Sequence, residues 1–157
     1  TVVILWSFNF VFIKFVLAEF EVYTALFYRM ILVSILLLPF VKKPQRSDYL
    51  MLFLTSIILV PGHYGLLFLS LMNTTSVGSI SVVIQLAIPF SVLLAWIFYQ
   101  DYPGKLRITG LLISFFGIVF LFYEPSMLDN LYALMIGTLS ALCLGLYFIM
   151  VKKIKQS

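Results

Sequence analysis

Seven side chains of the sequence are of types that could bind a small molecule within an otherwise very apolar chain. They are Trp6, Asn9, Lys14, Arg29, His63, Tyr64 and Gln85. Two are cations and the others carry polar groups, so the set favours an amino acid or an anionic metabolite as ligand. Catalysis is not expected, because the acids lie outside the apolar segments or at their ends and a single histidine lacks a metal-binding or proteolytic partner. We therefore predict a binding site without metal or cofactor, and not an enzyme.

The elements that must position these side chains follow from composition. The chain has 157 residues, of which 63% are hydrophobic and 10% are charged, whereas soluble domains carry roughly 25% charged residues. Six apolar segments, long enough or nearly so to cross a bilayer, cover residues 2–18, 22–41, 49–72, 77–99, 108–123 and 131–151. Continuous apolar runs within them do not alternate as barrel strands would. The sequence predicts an all-α, polytopic membrane protein with six transmembrane helices.

The basic residues predict how these helices are oriented. Eight of the ten lie in one set of alternating loops: Lys42, Lys43, Arg46, Lys105, Arg107, Lys152, Lys153 and Lys155. The opposite loops hold acids without any Lys or Arg, so the positive-inside rule places loops 42–48 and 100–107 and the C-terminus in the cytoplasm. The predicted location is the cell membrane, as in a bacterial inner membrane. The net charge of +4 thus follows the topology, and no nucleic-acid partner is expected.

Lys14 and Arg29 are the two basic residues inside apolar segments, both toward the outer ends, where we expect them to shape the charge near the outer mouth of a cavity. Charge at that depth is costly and tends to mark a polar cavity between helices. The simpler interpretation is that both side chains reach the outer interface or pair with Glu19 or Glu21, which lie roughly 8–12 Å away at 1.5 Å per residue. Both interpretations stay open on the sequence alone.

Gln85 shares a stripe with Ser81 and Pro89 at four-residue spacing in the fourth segment. Pro89 should bend the helix and free the backbone carbonyl of Gln85. A polar stripe beside a kink is typical of a helix that lines a substrate cavity, in which case Gln85 faces the protein interior. One hydrogen bond to a neighbouring helix would explain the stripe equally well.

His63 and Tyr64 follow Pro61 and Gly62, which should bend or break the third segment. A lone histidine is more often a packed, hydrogen-bonded residue than a ligand, so the two roles compete here. Cys143, the single cysteine, lies in an apolar stretch, where a thiol serves as a small packing group.

Small residues predict close helix packing in two places. Gly137, Ala141 and Gly145 recur every four residues in the sixth segment, and this pattern lets a neighbouring helix approach closely. Gly110 and Gly117 lie seven residues apart on one face of the fifth segment and predict packing there as well.

The sixth segment weakly repeats the first at an offset of 138 residues, which superimposes Phe10 on Phe148 and Lys14 on Lys152. Because five helices make up this period, the second unit would be inverted in the membrane, as transporter repeats often are. We predict a five-helix repeat at residues 1–124 and the first helix of a second repeat at 125–157. Thr1 lies at the edge of a hydrophobic segment, so we expect the first helix to be cut short.

The sequence resembles the EamA-type family of the drug/metabolite transporter superfamily over essentially its whole length. The resemblance is carried by Trp6–Ser7–x–Asn9–Phe10–x–x–x–Lys14, Arg29, Leu38–Pro39, Thr75–Ser76–Val77–Gly78, Pro89, Leu94–Ala95–Trp96, Gln100–Asp101, Gly110 and Gly117. The family pattern usually has Gly-Glu near Gln100–Asp101, where this sequence departs from it.

The resemblance implies ten helices in two inverted repeats that move small metabolites or drugs by alternating access, so six helices would form a partial transporter. The expected site lies near the midplane between the first, third and fourth helices. The alternative is a non-transporting subunit or split-gene remnant that pairs with a second membrane chain, or with its own copy, through the Gly137/Ala141/Gly145 face. Expected partners are the lipid bilayer and an amino acid, metabolite or drug.

Overall fold

The structure, a computed structural model, describes residues 2–41, 45–121 and 130–154, and the side chains of 2–7, 47, 121, 153 and 154 are not among those described. All regular elements in these ranges are helical. They are α1 (Val2–Glu19), α2 (Val22–Leu37), α3 (Tyr49–Ile57), a π-helical segment (Ile58–Gly65), α4 (Leu66–Met72), α5 (Val77–Ile84), α6 (Ala87–Tyr99), α7 (Lys105–Leu121) and α8 (Leu131–Ile154). Short 3₁₀ turns at Leu38–Phe40 and Arg46–Asp48 flank the loop between α2 and α3.

Four helical spans in the described ranges are long and apolar enough to cross a membrane: Val22–Phe40, Tyr49–Met72, Val77–Tyr99 and Leu131–Lys152. The chain is therefore a multi-pass membrane protein. Helices α1 and α7 occupy the two other predicted segments. Helix α1 covers the whole of the predicted segment 2–18, and α7 covers the predicted segment 108–123 as far as Leu121, where the described range ends. The count of six transmembrane helices stays a prediction.

The third span departs from α-helical geometry where Pro61 and Gly62 were expected to disturb it. Residues Ile58–Gly65 form a π-helix with Pro61 inside it. Proline lacks an N–H and its ring crowds the preceding turn, so a widened turn accommodates it without ending the helix. The predicted disturbance is confirmed, and it places His63 and Tyr64 on irregular helix.

The fourth span breaks between α5 and α6, at Gln85 and Leu86. Ile88 N–H donates to Gln85 O at 3.1 Å, and Phe90 N–H donates to Leu86 O at 2.9 Å. The prediction that Pro89 leaves the Gln85 carbonyl free is therefore wrong, because a tightened turn supplies another donor. The side chain of Gln85 is exposed and does not turn into the packed interior of this chain.

Helix α8 is the centre of the packed region, where it contacts α6, the π-helical segment, α4 and α5. A Cβ added at Gly145 would stand 3.1 Å from Phe90 Cβ, and one added at Gly137 would stand 3.2 Å from Ser70 Oγ. Ala141 between them is completely buried. The predicted small-residue packing face is confirmed. The hypothesis that this face pairs with a second chain is wrong, because helices of the same chain already fill it.

Helix α7 differs from α8 in that most of its described side chains are exposed. A Cβ added at Gly110 or Gly117 would meet nothing within 4 Å. The packing predicted for these two glycines is therefore not made by the described chain. Cys143 is the opposite case: its Sγ would lie 3.4 Å from a Cβ at Gly62, in agreement with a packing role.

Candidate functional site

A cleft of about 590 Å³ lies between α1 and α2. Apolar side chains from one face of each helix form most of its wall, and Phe68 of α4 adds to the lining. Its polar groups belong to Asn9, Tyr28 and Arg29. A mostly apolar cavity with a few polar groups gathered in it is the usual form of a small-molecule site.

Arg29 lies near the middle of α2, seven residues after Val22 and eight before Leu37. At 1.5 Å per residue this is roughly 10 Å from one end of the Val22–Phe40 span and roughly 16 Å from the other, well inside the apolar stretch. Its Nη1 donates to Asn9 Oδ1 at 3.1 Å, and both residues are half-buried. Neither α1 nor α2 has a proline or glycine to bend it, so the two polar groups meet at matching depths of two regular helices.

Two aromatic rings hold the guanidinium of Arg29. Its Cζ lies 4.9 Å from the centroid of the Tyr64 ring and 5.7 Å from that of Phe68. A cation over an aromatic face gains about 2 kcal/mol when it is removed from water. These rings orient the guanidinium and lower the cost of its position, although they do not neutralise its charge.

In the part of the chain that the structure describes, Lys14 and Arg29 do not pair with Glu19 or Glu21 as the simpler interpretation expected. Glu19 and Glu21 are exposed, and no ion pair joins either of them to Lys14 or Arg29 across these described residues. For Arg29 the structure instead agrees with the polar-cavity interpretation. Among the residues described, the ion pair present is Lys152 with Asp101, at 3.7 Å and at the opposite end of the bundle from Glu21.

Lys14 has a separate role. Its Nζ donates to Leu71 O at 2.6 Å and to Thr74 O at 2.5 Å, at and just beyond the C-terminal end of α4. The last carbonyls of a helix have no partner within it, and a cation there also complements the helix dipole. Lys14 therefore caps α4 and does not line the α1–α2 cleft.

His63 is buried, with 4% of its surface exposed, and is hydrogen-bonded to α8. Ser140 Oγ lies 2.9 Å from both His63 O and His63 Nδ1, and Ser140 O lies 3.2 Å from Nδ1. The carbonyl of His63 can only accept, so Oγ–H donates to it, and Nδ1–H must then donate toward Oγ and Ser140 O. The geometry thus assigns a proton to Nδ1. His63 agrees with the packed, hydrogen-bonded interpretation.

Ser140 and Ser70 are polar residues that the sequence analysis did not select. Ser70 Oγ donates to Ala133 O at 2.7 Å, so α4, like the π-helical segment before it, is hydrogen-bonded to α8. Both serines are completely buried. In the sequence each of them is a hydroxyl residue in an apolar helix, and this feature is too common to select a residue. Only the position of α8 shows what each serine contacts.

The structure therefore brings together Asn9, Arg29 and Tyr64, and His63 adjoins them because its ring lies 4.9 Å from that of Tyr64. Lys14 and Gln85 are placed apart from this group. The side chain of Trp6 lies outside the described residues. The described His, Cys, Asp and Glu residues form no group that could hold a metal ion.

Comparisons with known proteins agree with this membrane architecture. The sequence profile of the EamA-like transporter family matches residues 1–123. An "Uncharacterized transporter" of Archaeoglobus fulgidus is 32% identical over 122 residues, which cover 74% of this chain and 41% of that protein. The matched region thus spans less than half the length of this curated relative. No solved structure shows significant similarity to the chain.

Proposed function

Because the chain belongs to the EamA-like transporter family, we propose that it forms part of a secondary transporter that moves small metabolites or drugs by alternating access. The family and the relative named as a transporter support transport across a membrane. We propose, in addition, the substrate, the mechanism and the role of this chain within the transporter.

The observation that carries this proposal is Arg29. A permanent cation near the middle of a membrane helix, beside a cleft of about 590 Å³, is costly in lipid, and such residues tend to mark a substrate pathway. In inverted-repeat transporters substrates bind near the midplane. Arg29 with Asn9 and Tyr64 would form the substrate site, and Tyr64 would connect it to the His63–Ser140 hydrogen bonds.

The repeat arrangement is a second part of the proposal. Residues 1–124 would form one five-helix repeat, and residues 125–157 would begin an inverted one. The offset that superimposes Phe10 on Phe148 supports it, as does the position of α8 against the π-helical segment, α4, α5 and α6. In this arrangement the Ser140–His63 contact joins the first repeat to the second. The two residues would therefore stay hydrogen-bonded to each other while the site changes from facing one side of the membrane to facing the other.

The proposed orientation places loops 42–48 and 100–107 and the C-terminus in the cytoplasm of a bacterial cell. In support, Arg107, Lys152 and Asp101 surround one pocket at the same end of the bundle. Lys42, Lys43 and Lys155, which also support it, lie outside the described residues. Labelling tests it in a Cys143→Ser background: an impermeant maleimide added outside intact cells should modify Asn130→Cys and not Ser47→Cys. The reverse pattern would overturn the orientation.

Transport itself is tested with the purified protein in proteoliposomes, by uptake and efflux of amino acids, anionic metabolites, nucleosides and cationic dyes. We expect saturable transport of at least one class and a loss of more than about tenfold in Arg29→Gln, since a cation–ligand contact is removed. Arg107→Gln, which removes the same group from an exposed position, is the matched control. Folded wild-type protein that transports none of these classes would contradict the proposal.

Trp6, Gln85 and Lys14 stay proposed contacts outside the described cleft lining. Gln85→Leu tests one of these three positions: a strong fall in transport per folded molecule would indicate that the substrate contacts Gln85 as well. Transport that follows the amount of folded protein would confine the exposed Gln85 side chain to packing or lipid contact.

A non-transporting subunit is the second candidate. The observation that favours it is the α7 face with Gly110 and Gly117, which meets nothing in the described chain and would suit a close helix partner. Purification of the intact protein with a second membrane chain bound at α7, combined with absent transport, would favour this candidate over the first.

A further inference from the structure

Arg29 carries a charge that no described acid balances. Its guanidinium stays protonated in proteins, and the described residues that contact it are an amide and two aromatic rings. The twelve residues that line the cleft include no Asp or Glu. A charge at this depth is stabilised by an anion of opposite sign more than by any neutral group.

The contacts of Arg29 leave a surface that suits a carboxylate. Asn9 Oδ1 accepts a hydrogen bond from Nη1, and the guanidinium Cζ lies over the rings of Tyr64 and Phe68. The remaining N–H groups lie in the guanidinium plane, where two of them can bind both oxygens of one carboxylate. The Asn9 amide nitrogen, bonded to the same carbon as Oδ1, supplies a further donor at this position.

The rest of the cleft suits a hydrocarbon body. Beyond Arg29 the walls consist of side chains such as Phe12, Val16, Leu32 and Ile35. An ammonium group would need a carboxylate or several neutral acceptors, and leaving it unpaired in an apolar cavity is costly. The polar acceptors among the lining side chains are Asn9 Oδ1, already bound to Arg29, and the hydroxyl of Tyr28.

We infer that the cleft takes an apolar monocarboxylate, an acid with one carboxylate, an aryl or alkyl body and no ammonium group. This inference rests on the proposed transporter and names its substrate class. The carboxylate binds the edge of Arg29 and Asn9, and the body lies between α1 and α2. An amino acid of the same size binds more weakly, because its ammonium group loses water without gaining a partner.

Equilibrium binding tests the inference apart from transport. The purified protein in detergent is titrated with 3-phenylpropionate, 3-phenylpropionamide, phenylalanine and phenethylamine, and binding is followed by calorimetry and by the shift in unfolding temperature. We expect 3-phenylpropionate to bind at least tenfold more tightly than the other three. Equal binding of the amide, or preference for phenylalanine or phenethylamine, would overturn the substrate class.

Two variants test the role of the guanidinium. Arg29→Gln should weaken 3-phenylpropionate binding at least tenfold, whereas Arg107→Gln should leave it unchanged. Asn9→Asp is nearly isosteric and places a fixed carboxylate against Arg29, so it should also weaken binding at least tenfold while the protein stays folded. Wild-type affinity in folded Asn9→Asp would overturn the inference even if Arg29→Gln fails to fold.

Octanoate and oleate separate a soluble acid from a fatty acid of the bilayer. We expect saturable binding of octanoate, and binding of oleate without binding of octanoate would overturn the proposal of a soluble substrate.

The substrate class and the transport function fail in different ways. Transport of a cationic dye or a nucleoside, without binding of any acid, would remove the substrate class and keep the transporter, whereas binding of the acid without transport of any solute would remove the transporter.

Discussion

Two polar clusters lie side by side in the interior, and they satisfy their polar groups differently. The closed cluster consists of His63, Ser70 and Ser140, which are fully buried and hydrogen-bonded to each other or to backbone carbonyls. The open cluster consists of Asn9 and Arg29 with Tyr64, and it faces a cleft. His63 and Tyr64 are neighbours in sequence, so roughly a quarter of a helical turn separates the two environments.

The difference separates a structural tie from a binding group. In the closed cluster each donor meets an acceptor, so a ligand could enter only by breaking hydrogen bonds that hold α8 to the third span. In the open cluster the charge of Arg29 has no described counter-ion, so a ligand could add an interaction without removing one. We therefore expect substitutions in the first cluster to change stability and those in the second to change ligand binding.

The largest loss of stability is expected where α8 packs most closely in the closed region. Ala141→Leu should destabilise the protein by about 2–3 kcal/mol, because a larger side chain must enter a completely buried position between close helices. The amount of monodisperse protein and its unfolding temperature measure this. Leu139→Phe, at a position that is 50% exposed on the same helix, is the control and should behave as wild type. Equal stability of the two variants would mean that α8 does not form the centre of the packing.

A smaller loss is expected from the polar tie itself. Ser140→Ala should lower the free energy of unfolding by about 1–2 kcal/mol, because it leaves His63 O and Nδ1–H with fewer partners. Transport per folded molecule should stay near the wild-type value.

Asn9→Ala is the matched change in the open cluster and should give the opposite pattern, with a small change in stability and a clear change in transport. Unfolding temperature and transport rate, measured on the same preparations, separate the two effects. If Ser140→Ala reduced transport as much as Asn9→Ala while staying folded, the comparison between a closed and an open cluster would fail.

The smallest effect lies outside both clusters, at the C-terminal end of α6. Gln100 adopts a left-handed conformation with φ 54°, and its N–H donates to Trp96 O at 3.0 Å. Glycine, which the EamA-type family usually has near this position, adopts such a conformation without steric cost. Gln100→Gly should stabilise the protein by about 1 kcal/mol or less in a thermal unfolding measurement and leave binding unchanged. A lower unfolding temperature would show that the glutamine side chain contributes more than the backbone strain costs.

Several features of the fold could be predicted because they depend on short stretches of sequence. The apolar lengths predicted four spans that the described structure contains, Pro61 predicted the irregular helix, and the four-residue spacing of Gly137, Ala141 and Gly145 predicted a close packing face. The site was less predictable. Asn9, Arg29 and Tyr64 were selected together and do meet, whereas Lys14 caps α4 and Gln85 is exposed.

The sequence by itself determined that the chain lies in a lipid bilayer, and it gave the approximate position of each polar group along its helix. Both follow from hydrophobic length and from position along a helix, which are local properties. What only the tertiary structure decided was which neighbour each polar group meets. The rotation of each helix about its axis, set by packing across the whole bundle, turns Ser140 toward His63 and Asn9 toward Arg29. The same packing directs Lys14 to the end of α4, and it leaves Arg29 beside a cleft with a charge that only a ligand or a further part of the protein can balance.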